Sequence, residues 1–125
     1  MTDKRPININ PLSIRLPITA IVSILHRISG FLVFLLIPLL LWILELTLKS
    51  QSGFSSVQQL LNAPLLKFSI WVFVASLIFH LLAGFRHLLM DMHLGESLKG
   101  GRFGAKLVIA VSFVLIAGAA YCLWG

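Results

Sequence analysis

A chain of 125 residues in which 58% of side chains are hydrophobic and 11% charged is one domain at most and no ordinary soluble globule. Its mean hydropathy is +0.99 and its formal net charge is +6 with histidine neutral. A single cysteine, Cys122, excludes an internal disulfide framework.

Residues 1–17 carry Pro6, Pro11 and Pro17 together with Asn8 and Asn10, and read as an extended segment at a membrane surface. Pro17 suits the first turn of a helix. Three uncharged stretches follow, 28–44, 68–85 and 107–124. Each approaches the roughly 20 apolar residues a bilayer crossing needs, with flanks that extend it. The expectation is an all-α integral membrane protein with three transmembrane helices over 18–48, 64–92 and 104–124. The first run reads as a span and not a cleaved signal, because a long Pro-rich segment precedes it and no small-x-small site follows. A helix over 18–48 would be about 45 Å long at 1.5 Å per residue, against a hydrocarbon core of about 30 Å. Its opening turns, including "SILHRISG", therefore fall at the interface, and Pro38 is expected to kink it. "KSQSGFSSVQQLLNAP" forms the connection to the second span, with a short amphipathic piece expected over 57–61. "GESLKGGRFG" reads as a glycine-rich polar connection to the third.

The charges are unevenly placed. Lys4, Arg5, Arg15 and Arg27 precede or enter the first span, and Arg86, Lys99, Arg102 and Lys106 surround the second connection. Lys49 and Lys67 alone flank the first connection. By the positive-inside rule the N-terminus and the second connection are cytoplasmic and the C-terminus outside. The basic excess is thus mainly a topology signal and not a nucleic-acid footprint. Acidic partners and anionic lipid are secondary readings.

Two helix faces carry chemistry. At 100° per residue, Ser23, His26, Arg27 and Gly30 share a wedge of roughly 100° on the first span. An arginine at a membrane entrance is also the ordinary snorkelling anchor, and that reading stays open. On the second span, in "SLIFHLLAGFRHLLMD", Ser76, His80, Gly84, His87 and Asp91 form one stripe while Arg86 falls off it. His80 lies well inside the apolar run, where neutral imidazole suits iron and Gly84 leaves room for a flat macrocycle. A structural bond to a neighbouring helix is the equal alternative for His80. Asp91 is placed either to bond the His87 imidazole or to stabilise the helix end. His80 and Arg86 are about 9 Å apart in helix rise, so both special faces occupy the cytoplasmic half. There His26 and Arg27 are at a depth suited to the propionates of a haem held by His80.

"RPININ", "RLPITAIVSILHRISG" and "HLLAGFRHLLMD", in this order across nearly the whole chain, resemble the cytochrome b anchor subunits of succinate dehydrogenase (respiratory complex II). The resemblance implies a three-helix anchor in the bacterial inner membrane, sharing one haem b with a second hydrophobic anchor subunit that supplies the other axial ligand. It also implies docking of an iron–sulfur subunit and a flavoprotein subunit, with electrons from succinate reaching ubiquinone beside this chain. Carried over, His80 resembles the axial haem ligand, His26 and Arg27 the propionate contacts, and Ser23 and Arg27 the ubiquinone-site residues. His87 need not be a ligand, and Tyr121, toward the other membrane face, is not the tyrosine of the family's quinone site. No residue cluster resembles a flavin or dicarboxylate site, and no cysteine group could ligate an iron–sulfur cluster. Two rivals remain: the anchor of a fumarate reductase, and a haem-free structural subunit or assembly factor with His80 only packing.

Overall fold

In the computed structural model, residues 17–125 are described, and the expected interfacial segment before Pro17 lies outside them. Four helices follow in order: α1 (Ile18–Lys49), α2 (Gln51–Leu60), α3 (Pro64–Asp91) and α4 (Leu98–Trp124). Among the described residues there is no strand, and α1, α3 and α4 are each long and apolar enough to cross a membrane. The chain is an all-α, three-span membrane protein.

The helix ends have local causes. Pro17 and Pro64 stand at the starts of α1 and α3, where a missing N–H costs nothing. Pro38 lies inside α1, which continues through it although the carbonyl one turn earlier loses its donor. The connection between the first and second spans holds more helix than expected, ten residues of α2 instead of a piece over 57–61. Ser50 starts it early, its hydroxyl accepting from the Gly53 N–H at 2.9 Å.

The connection between the second and third spans is shorter than its glycines suggest. α4 begins at Leu98, not at 104, because Ser97 caps it by accepting from the Gly100 N–H at 3.0 Å. Gly100, Gly101 and Gly104 therefore belong to the helix. The true turn is short, and His93 (φ 62°) and Gly95 (φ 67°) both adopt the left-handed conformation there.

α3 packs against both α1 and α4, and α1 touches α4 more lightly. The buried seam is made mostly of small residues: Val22 and Ser29 on α1, Ser76 and Ala83 on α3, and Gly101, Ala105, Val108 and Ser112 on α4. The α4 set recurs at intervals of four, three and four, the spacing of one helix face. Small seams are expected where lipid removes the hydrophobic drive and backbone proximity provides the packing. Large side chains face outward instead, among them Phe31, Phe34, Phe85 and Phe113. At the end of the bundle remote from Arg27 and Arg86, Trp71 donates its indole N–H to the Ile116 carbonyl at 3.2 Å and meets Trp124 edge-on at 5.9 Å. Tryptophans gathered at one end of a bundle are characteristic of a membrane–water interface.

Ala105 is fully buried in the seam whereas Phe113 is exposed on the lipid side. Ala105→Leu should destabilise the protein by about 1–3 kcal/mol through overpacking. Phe113→Leu should change it by less than about 0.5 kcal/mol. Thermal unfolding of the purified protein in detergent compares the two.

Candidate functional site

α1 and α3 run antiparallel and meet through two histidines and two glycines. The His80 ring rests over Gly30, where an added Cβ would stand 2.9 Å from Cε1 and 3.3 Å from Nδ1. Reciprocally, a Cβ on Gly84 would stand 3.4 Å from His26 Nε2. The two imidazoles stack between the helices, with centroids 4.4 Å apart and planes inclined by 19°. Each ring thus occupies the space a side chain would fill on the facing helix. Any larger residue at position 30 meets an atom closer than ordinary contact permits.

The polar contacts of His80 select the tautomer of its neutral ring. Its Nδ1 lies 3.2 Å from the His26 carbonyl oxygen and 3.2 Å from Ser29 Oγ. A carbonyl oxygen only accepts, so Nδ1 carries the proton and donates. Ser29 is consistent with this, because its hydroxyl donates to the same carbonyl at 2.7 Å and keeps lone pairs for Nδ1. The unprotonated nitrogen is then Nε2. Second-atom hydrogen bonding to a backbone carbonyl is how a ligating imidazole is oriented and its free nitrogen made more basic.

Two cavities flank the stacked pair. The larger is an open groove of about 500 Å³ lined by His26, His80, Leu81, Gly84, Phe85, His87 and Leu88. The smaller, about 170 Å³, is lined by Val22, Ser23, His26, Arg27, Ala83, Arg86 and His87. His26 and His87 form the wall common to both. The residues expected from sequence to act together are therefore divided: His80 and Gly84 face the apolar groove, Ser23 and Arg27 the polar cavity.

A haem fits this donor set. One imidazole offers a free Nε2 beside a groove whose walls are mainly hydrocarbon, and Gly84 opens that wall one turn from His80. Among the described residues no three His, Cys, Asp or Glu side chains converge. An iron at His80 would accordingly bring most of its own ligands, as a macrocycle does. Of the expected propionate partners, His26 borders the groove while Arg27 borders the neighbouring cavity.

His87 and Asp91, expected on the same stripe, are both exposed, and Nε2 stands 3.7 Å from Oδ2. That is an ion-pair distance for a protonated imidazole and too long for a hydrogen bond. Two residues of the site escaped the sequence reading. Ser29 supplies the second acceptor for His80 and is 5% exposed; its only signal was a hydroxyl three residues after His26. Arg86, assigned off the stripe, does lie against α4, yet its long side chain also borders the cavity of Ser23 and Arg27.

Comparison with known proteins follows the same lines. The family model described as succinate dehydrogenase/fumarate reductase transmembrane subunit matches residues 1–119. The chain is similar to the succinate dehydrogenase cytochrome b556 subunit of Coxiella burnetii (strain RSA 493 / Nine Mile phase I), 40% identical over 99% of this chain and 100% of the relative. Proteins of the same description from Paracoccus denitrificans and Rickettsia prowazekii (strain Madrid E) are also similar. The first is 34% identical over 89% of this chain and 85% of the relative. The second is 30% identical over 90% and 88%.

The tautomer of His80 is directly measurable. In protein carrying ¹⁵N-histidine and the His93→Gln substitution, which removes the other imidazole whose Nδ1 faces an acceptor (Glu96 Oε1, 3.0 Å), the His80 imidazole should show a protonated Nδ1 and an unprotonated Nε2. Gly30→Leu should abolish that signature by expelling the ring from its seat on α1. A spectrum unchanged by this substitution would contradict the packing described.

Proposed function

The chain belongs to the succinate dehydrogenase/fumarate reductase transmembrane subunit family, and from that premise we propose that it is the haem b-binding anchor of a succinate dehydrogenase. It shares the haem with a second hydrophobic anchor subunit and docks an iron–sulfur and a flavoprotein subunit on the inner membrane of a bacterium. Electrons from succinate pass through the iron–sulfur clusters to ubiquinone at this chain's cytoplasmic end. The observation that carries the reading is the Nδ1 contact of His80 with the His26 carbonyl, 3.2 Å, beside an apolar groove. A histidine present only for packing has no need of a free Nε2 at a groove. The common description of the relatives favours succinate oxidation over the reverse direction.

When bound, the haem supplies a one-electron redox centre. This chain's part would be to hold it, with His80 Nε2 as the iron ligand, His26 at the groove wall, and His26 and Arg27 as the propionate contacts. Ser23 and Arg27, four residues apart and hence on one face, serve the quinone from the smaller cavity. A hydroxyl donor orients a quinone carbonyl, and a guanidinium stabilises the negative charge that reduction places on it. Both effects gain in a site poor in water. The Lys/Arg distribution supports a cytoplasmic location for this end and an outer one for the α4 C-terminus.

In the purified complex, His80→Ala should abolish or shift the low-spin b-type spectrum, while His87→Ala and His93→Ala retain it. An unchanged spectrum and haem content in His80→Ala removes this residue as the ligand. Arg27→Leu should slow ubiquinone reduction by roughly ten- to over a hundredfold, the equivalent of losing a charged hydrogen bond of about 1.5–3 kcal/mol. Succinate oxidation by a water-soluble dye acting upstream should stay near normal. A wild-type ubiquinone rate in fully assembled Arg27→Leu complex would make Arg27 a snorkelling anchor only.

For the orientation, a Gly125→Cys variant in intact cells should react with an impermeant thiol reagent, and Ser97→Cys should be protected. The opposite pattern inverts the topology.

A further inference from the structure

α4 has no part in the haem or quinone assignments above, yet it holds a cation at the quinone cavity. Arg86 Nη2 donates to the Gly101 carbonyl at 3.2 Å. A Cβ on Gly104 would stand 3.4 Å from Arg86 Nε, and one on Gly101 would stand 4.0 Å from Nη2. The two glycines give the guanidinium a bed directly on the α4 backbone. Nε is buried there with no hydrogen-bond partner, and no carboxylate among the described residues pairs with Arg86.

A guanidinium has five N–H donors and a charge it cannot lose. Holding it half-buried with donors unused is unfavourable unless a ligand supplies electron density. Arg86 borders the same small cavity as Ser23 and Arg27, and no acidic side chain lines that cavity. His26 and His87 also line it, and Val22 and Ala83 add apolar surface. Two guanidinium groups and a hydroxyl at the edge of an apolar wall suit a flat neutral ring that bears carbonyl oxygens and acquires negative charge.

We propose that Arg86, bedded on Gly101 and Gly104 of α4, is a third quinone-binding residue of the Ser23–Arg27 cavity. This rests on the quinone reading of that cavity. Reduction of the quinone to the quinol takes two electrons, delivered by the iron–sulfur partner, and two protons from cytoplasmic water. Arg27 and Arg86 stabilise the oxygen-centred charge between electron arrival and protonation, and neither gives up a proton. Arg86 also couples the start of α4 to quinone affinity, because its position is set by the α4 backbone.

The test uses the purified whole complex with a short-chain ubiquinone. Arg86→Gln should lower kcat/KM for ubiquinone at least tenfold, with KM raised, while dye reduction stays within twofold of wild type and the b-type spectrum is retained. Arg86→Lys, which restores the charge, should return kcat/KM to within about threefold of wild type. Wild-type ubiquinone kinetics in Arg86→Gln overturns the inference. Equal loss of dye and quinone rates, or failed assembly, in both variants assigns Arg86 to helix packing and overturns it as well. A defect in Arg27→Leu with normal Arg86→Gln removes Arg86 alone, whereas normal quinone kinetics in both removes the quinone reading of the cavity itself.

Discussion

Two histidine rings stacked between antiparallel helices, each seated over a glycine of the opposite helix, set the geometry on which the rest depends. Gly30 admits His80 and Gly84 admits His26. That proximity brings the His26 carbonyl within reach of His80 Nδ1, and the carbonyl in turn decides which nitrogen is left free. The same stack divides the space between α1 and α3 into an apolar groove and a polar cavity with a common wall. Site geometry and helix packing are therefore one constraint. An interhelical hydrogen bond in a membrane contributes only about 0.6 kcal/mol on average, so the contact's value lies in orientation more than in stability.

The remainder of the bundle serves this proximity sparingly. Few large side chains are buried, and the seam consists of serines, alanines, glycines and two valines, Val22 and Val108. The abundance of outward phenylalanine and leucine is the reverse of a soluble core and fits a chain surrounded by lipid and by other hydrophobic subunits. A single chain with so thin a core leaves the groove beside His80 open on one side. That openness is compatible with the proposal that a cofactor is shared with a second anchor subunit.

Much of this was readable from residue order, and the exceptions have physical reasons. The three spans followed from run length, and the His80–Gly84 stripe from helical periodicity alone. The start of α4 was hidden because Gly100, Gly101 and Gly104 have the composition of a loop, while Gly101 and Gly104 admit Arg86 of α3 and Gly100 packs on the Ser97 cap and Gly95. α2 was underestimated because its cap, Ser50, precedes a polar stretch with little hydrophobic signal. Arg86 was set aside because a helical wheel records where a Cα–Cβ bond points, and a long arginine stem reaches well beyond that direction. The pairing of Gly30 with His80, between residues fifty positions apart, is a tertiary fact that no local pattern contains.

The most direct test of the account is a high-resolution structure of the assembled complex in a lipid environment. It should show His80 Nε2 at bonding distance from a haem iron, with Nδ1 still within hydrogen-bond distance of the His26 carbonyl oxygen. An iron held by another residue of this chain, or a His80 ring whose Nε2 is turned from the groove, would contradict it.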